Sequence, residues 1–141
     1  MIRVVATGTF DLLHPGHILY LERSKALGDE LVVIVARDIN VTHKPTPIVP
    51  ENQRMKMISA LKVVDRAILG SQEDTFKPIE ELHPDIITLG YDQHFDQAAL
   101  EEELSKRGLK TKVVRIDAHD CCELCSSRKI LGKILEHYRA R

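Results

Sequence analysis

Five short apolar runs, Ile2 to Ala6, Leu31 to Ala36, Ala67 to Leu69, Asp85 to Leu89 and Thr111 to Ile116, recur along the chain. None alternates cleanly between polar and apolar residues, so each reads as a strand buried on both faces of a parallel sheet. Between them lie segments with helical spacing: Pro15 to Leu27 closed by Gly28, Glu51 to Leu61, Lys77 to Leu82, and Asp96 to Arg107 closed by Gly108. Strands and helices in alternation predict an α/β fold, a doubly wound five-stranded parallel sheet with helices on both faces. The 141 residues suit a single domain spanning 1–141. A last helix is expected from Ser126 to Tyr138, with Ile130, Leu131, Ile134 and Leu135 packing over the sheet edge.

Charge narrows the choice of ligand. Twenty Lys and Arg nearly balance 21 Asp and Glu, for a net charge of -1, so no global positive field favours nucleic acid. A small anion held by local groups fits better. No apolar run approaches the ~18 residues of a membrane span, and the first residues lack the charged and apolar regions of a signal peptide. The chain therefore reads as cytoplasmic. Cys121, Cys122 and Cys125 crowd into five residues. Ordinary reduced thiols, a redox-sensitive loop, and a zinc site joined by His119 are the three readings of that cluster.

In an open parallel sheet the ligand crevice lies beyond the carboxyl ends of the strands. Thr9 to His17, Arg37-Asp38, Gly90-Tyr91-Asp92-Gln93 and His119 to Arg128 all follow strands there. The first of these, Gly8-Thr9-Phe10-Asp11-Leu12-Leu13-His14-Pro15-Gly16-His17, is the most informative. Pro15 suits the first turn of a helix, where its missing N–H costs nothing. That helix N-terminus is an anion site, and Gly8 and Gly16 permit close backbone approach. His14 and His17, three residues apart, project to one side and can donate hydrogen bonds to phosphate oxygens. The competing readings are a capping histidine beside a packing one, or a metal pair. The metal reading is weakened because helical ligand pairs more often stand four apart.

The Thr9-Phe10-Asp11 stretch with His14, Gly16 and His17 resembles the signature of the cytidylyltransferase-like nucleotidyltransferases, and the resemblance spans nearly the whole chain. Lys44 and Ser126-Ser127 fit the same family. Within it, Val35-Ala36-Arg37-Asp38, Leu89-Gly90-Tyr91-Asp92-Gln93 and Cys121 to Ile130 are similar to the archaeal FAD synthetases, which are FMN adenylyltransferases. The resemblance implies a Rossmann-like nucleotidyltransferase fold with a C-terminal helix. It implies transfer of AMP from ATP to FMN, giving FAD and pyrophosphate. The alternatives are a cytidylyltransferase acting on glycerol 3-phosphate or another polyol phosphate, and a non-catalytic nucleotide-binding domain. Glycerol-3-phosphate cytidylyltransferases usually end differently from this Cys-Ser-Ser segment.

Roles follow from the resemblance residue by residue. His14, His17 and Lys44 would be catalytic, with Lys44 bringing a point charge to the α-phosphate. Thr9, Phe10, His14, Pro15, Gly16, His17, Asp92, Ser126 and Ser127 would bind the nucleotide. Asp11, Asp38, Arg54 and Arg128 would bind the acceptor or a phosphate, Asp11 more by orienting the loop than by touching substrate. For Lys44 a solvated loop lysine, for Arg54 a surface ion pair with Glu51, and for Asp92 a turn role are the bland alternatives. Mg2+ is the expected cation, and a homodimer the expected assembly.

Overall fold

The computed structural model describes residues 1–42, 44–90, 93, 96–117 and 123–139. Five strands, β1 (Arg3–Gly8), β2 (Glu30–Val35), β3 (Arg66–Leu69), β4 (Ile86–Gly90) and β5 (Lys112–Ile116), alternate with helices. These are α1 (Pro15–Lys25), α2 (Glu51–Ser59), α3 (Lys77–Leu82), α4 (Gln97–Lys106) and α5 (Ser127–Arg139). A short 3-10 turn, Asp38–Asn40, follows β2. The strand order is β3-β2-β1-β4-β5, and every pairing is parallel. The predicted doubly wound sheet is therefore present. The chain winds outward from β1 to β3 and then returns to the other side of β1, so the order reverses between β1 and β4. That switch point is where a crevice opens.

Successive strand residues feed two cores. Val4, Ala6, Leu31, Val33 and Val35 face one side with Tyr20 and Leu21 of α1 and Ile58 of α2. Val5, Val32, Ile34, Ile87 and Leu89 face the other with Ile79 and Leu82 of α3 and Leu104 of α4. Burial on both faces explains why the sequence runs are continuously apolar. β1 extends two residues beyond its apolar run, because pairing with β2 continues to Gly8 opposite Val35. Backbone hydrogen bonding thus carries the strand into the loop that matters.

The ends of α4 obey local chemistry. Asp96 caps it, accepting from the N–H groups of Ala98 and Ala99 at 3.0 and 3.2 Å. Gly108, at φ 80°, closes it, and the Leu109 N–H reaches back to the Leu104 carbonyl at 3.0 Å.

The expectation for α5 is corrected. No residue of this helix is buried, and Ile134, Leu135 and Tyr138 are 45, 55 and 63% exposed. Its apolar stripe does not seat on the sheet edge, because amphipathic spacing predicts a face and not the surface that covers it. Among the described residues no helix is long and apolar enough to cross a membrane.

A buried hydroxyl network fixes α1 over the switch point. Tyr20 Oη donates to the Thr88 carbonyl of β4 at 2.9 Å and accepts from the Thr7 N–H of β1 at 3.3 Å. Ser24 Oγ lies 2.8 Å from Thr88 Oγ1. Removing the hydroxyl orphans buried partners. Tyr20→Phe is expected to cost about 1–3 kcal/mol, read as a shift of the urea midpoint at unchanged slope.

Candidate active site

β1 delivers the chain to a loop that must turn sharply into α1. Phe10 makes the turn in the left-handed region, at φ 55°, which an L side chain adopts only when its surroundings hold it there. Its ring, 4% exposed, folds back on Gly8, where a Cβ would stand 2.7 Å from ring atoms. Gly8 therefore makes room for Phe10. The same ring meets His17 edge-on, with centroids 5.3 Å apart.

His14 is the cap of α1. Its Nδ1 accepts from the Gly16 N–H at 3.1 Å, while His17 Nδ1 accepts from the His14 N–H at 3.4 Å. The two residues make a reciprocal capping box from imidazoles, satisfying amides that a helix start leaves open. Gly16 is required for this, since a Cβ there would lie 2.9 Å from the His14 ring. The rings stack with centroids 3.8 Å apart and planes 25° apart. A neutral imidazole that accepts through Nδ1 carries its proton on Nε2. The cap thus sets one tautomer in both rings, with the N–H on Nε2.

Burial, the neighbouring His14 and then the Lys44 ammonium push the His17 pKa down to about 3. His17 is a neutral hydrogen-bond donor at physiological pH, and Lys44 stands within electrostatic reach of the pair. Lys44 itself is exposed on the loop that follows the 3-10 turn.

α5 begins beside α1. Ser126 Oγ accepts from the Lys129 N–H at 3.1 Å, capping α5, and Ser127 Oγ donates to the Leu12 carbonyl at 3.4 Å. The Cys125 carbonyl lies 3.5 Å from where a Gly16 Cβ would stand. The N-termini of α1 and α5 come together on one side of the histidine loop, where their dipoles favour an anion. Arg128 is exposed on the first turn of α5.

Arg54 does not reach into the crevice. It is 1% exposed, and its guanidinium donates to the carbonyls of Val49 (2.8 Å), Thr9 (2.7 Å) and Ala36 (2.8 Å) and to Asp38 Oδ1 (2.6 Å). Four protein acceptors occupy it, so the predicted phosphate contact gives way to an internal strut. Nor does it pair with Glu51, which instead binds Arg37 at 2.9 Å and the Asp38 N–H at 3.0 Å. Asp38 is likewise committed, to Arg54 and to the Glu51 N–H at 3.3 Å. Asp11 accepts the Ile48 and Val49 N–H groups, one on each oxygen, both at 2.9 Å.

At the other lip of the crevice, Gln93 Oε1 accepts from the Gly90 N–H at 2.6 Å and its Nε2 donates to the Thr7 carbonyl at 3.3 Å. Arg115 of β5 donates to the carbonyls of Gly90 and Gln93, both at 2.9 Å. Sequence reasoning gave neither residue a role. The available signal was an arginine inside the apolar run of β5. Tyr91, Asp92, His119, Cys121 and Cys122 lie outside the described residues. Cys125 is disulfide-bonded.

The low His17 pKa has a measurable consequence. The unfolded imidazole takes a proton near its ordinary 6.5 while the folded one resists until about 3. Stability from this group is complete above the unfolded value and is lost as pH falls through that window, by up to about 1.4 kcal/mol per pH unit. Comparing urea midpoints at about pH 7.5 and about pH 5 tests this. His17→Asn, whose amide oxygen can still accept the His14 N–H, is expected to flatten the slope; an unchanged slope refutes it.

Residues 5–133 match the cytidylyltransferase-like family. The chain is 68% identical to the FAD synthase of Methanothrix thermoacetophila over 96% of its own length and 95% of that protein. It is 65% identical to the FAD synthase of Archaeoglobus profundus, covering 100% of this chain and 91% of that one. Among solved structures, a Thermoplasma volcanium chain described as a lipopolysaccharide core biosynthesis protein superposes with TM-score 0.83 at 58% identity, over 85% of this chain and 99% of that one. With the histidine-capped α1 at the switch point of a 3-2-1-4-5 sheet, these likenesses make the chain a member of the cytidylyltransferase-like family.

Proposed function

We propose that this chain transfers the adenylyl group of ATP to FMN, giving FAD and pyrophosphate. The observation that carries it is the pair of stacked imidazoles capping α1, both accepting backbone N–H groups through Nδ1 and so holding their protons on Nε2. Relatives named FAD synthase, 65 and 68% identical over nearly the full chain, supply the choice of nucleotide and acceptor.

In the reaction an FMN phosphate oxygen attacks the α-phosphorus in line. One P–O bond forms, the bond to the β-phosphate oxygen breaks, and pyrophosphate leaves with the electron pair. His14 and His17 donate to phosphate oxygens whose charge grows in the transition state, and the converging N-termini of α1 and α5 favour the same charge. Lys44, near His17, brings a positive charge. Thr9, Phe10, Pro15 and Gly16 shape the cradle, and Ser126, Ser127 and Arg128 line its second side. Asp92 is assigned to nucleotide recognition by family resemblance. Among the described residues no group of three His, Cys, Asp or Glu converges as a metal cage. Mg2+ therefore belongs to this reading as a counter-ion that the triphosphate brings in.

The reading places the enzyme in the cytoplasm as a homodimer, supported by the exposed apolar stripe of α5 and the prevalence of two-fold assemblies. Sedimentation at micromolar concentration is expected to give twice the chain mass; a monomer refutes the dimer. For the activity, ATP or CTP is offered with FMN or glycerol 3-phosphate, and pyrophosphate and FAD are measured. FAD from ATP and FMN is the expected product, and turnover confined to CTP with a polyol phosphate overturns the reading. His14→Ala is expected to lower kcat by about 100- to 1,000-fold, and loss of the α1 cap to cost about 0.5–2 kcal/mol in the urea midpoint, too little to unfold the chain and so to account for the rate.

A further inference from the structure

Lys44 sits on a loop, and a point charge on a loop works only if something decides where it stands. The feet of that loop are held. On the near side Val41 is buried, and its N–H bonds the Asp38 carbonyl at 3.3 Å. On the far side three backbone groups of two adjacent residues are gripped: the Ile48 and Val49 N–H groups by the two oxygens of Asp11, and the Val49 carbonyl by Arg54 Nε. Lys44, Pro45, Thr46 and Pro47 lie between, and two prolines among them fix φ and stiffen the span.

The grip is tied to the phosphate loop at both ends. Asp11 lies three residues before His14, in the turn that carries the histidine pair. Arg54, while holding Val49, also holds the Thr9 carbonyl and the Ala36 carbonyl at the end of β2. The loop with the lysine and the loop with the histidines are thus fastened to each other by one carboxylate and one guanidinium.

We propose that Asp11 is a positioning residue for Lys44: by gripping the Ile48 and Val49 amides it sets where the ammonium stands against the histidine pair, and it does not touch substrate. This goes beyond the adenylyl-transfer reading and rests on it only for the kinetic arm of the test. Each carboxylate oxygen accepts one backbone N–H of the lysine loop, so the side chain is directed at that loop. Arg54 shares the task as the internal strut. The depressed His17 pKa, to which the Lys44 charge contributes, agrees with a lysine already held close.

Asp11→Asn is the informative change. Its amide can accept one of the two N–H groups but turns an NH2 toward the other, so half the grip is lost with little change in volume. Asp11→Glu keeps both acceptors and is expected to recover most of the function. If placement of Lys44 is what Asp11 supplies, Asp11→Asn lowers kcat for FAD formation by about 100-fold with KM for FMN within about threefold. In a Lys44→Ala background the same substitution is then nearly silent, because the residue it positions is gone. An Asp11→Asn effect undiminished in that background, or a rise in KM with kcat unchanged, overturns the proposal. A second readout needs no turnover. With lysines carrying 13C-methyl groups, the Lys44 signal is expected to shift in Asp11→Asn as it leaves the imidazole rings, and an unmoved signal refutes the proposal whatever the chain's substrate. Wild-type chain that makes no FAD, with the Lys44 signal still shifted by Asp11→Asn, defeats the adenylyl-transfer reading and leaves this one standing.

Discussion

A guanidinium taken out of water must find an acceptor for nearly every N–H it owns, and Arg54 meets that demand by drawing three segments together. Its partners are the Thr9 carbonyl after β1, the Ala36 carbonyl after β2, the Val49 carbonyl ahead of α2 and the Asp38 carboxylate. The requirement therefore acts as a template: it holds the carboxyl ends of two strands and two functional loops in one geometry. Asp38 and Glu51 extend it, exchanging backbone contacts across the start of α2, and Arg37 carries it on to the Gly70 carbonyl after β3 at 2.6 Å.

On that frame the phosphate chemistry needs little more than helix ends. α1 and α5 both begin beside the histidine loop, and the positive ends of both helix dipoles lie where a polyanion gains most. What distinguishes α1 is that its cap is an imidazole pair. Serine or aspartate caps would satisfy the same amides, whereas an imidazole does so while carrying a donor N–H on its other nitrogen. Capping and catalysis are therefore one arrangement, which explains why Gly16 must be glycine for the His14 ring to lie where it does.

Much of this was legible in the residues. Largely apolar runs identify the five parallel strands, because burial on both faces of the central ones leaves few polar positions within them. Pro15 and the glycines locate the start of α1, because those residues act on the backbone directly. Arg54 and Asp38 were legible as important and misread in kind, whereas Asp11 was already read as orienting its loop. Charged residues near a crevice suggest ligand contacts, and only the packed chain shows that their partners are backbone amides and carbonyls from distant segments. α5 was misread for the opposite reason: its apolar stripe is plain, yet a stripe does not name its cover.

Sequence alone determined the fold class, the strand-loop-helix that carries the histidines and the family, since each depends on short-range spacing and side-chain chemistry. Tertiary structure alone decided the imidazole tautomers, the internal role of Arg54, the grip of Asp11 on the Lys44 loop and the exposure of α5. Those depend on which groups meet across long separations, such as Arg54 with Thr9 or Tyr20 with Thr88, and a desolvated hydrogen bond is specified by both of its partners.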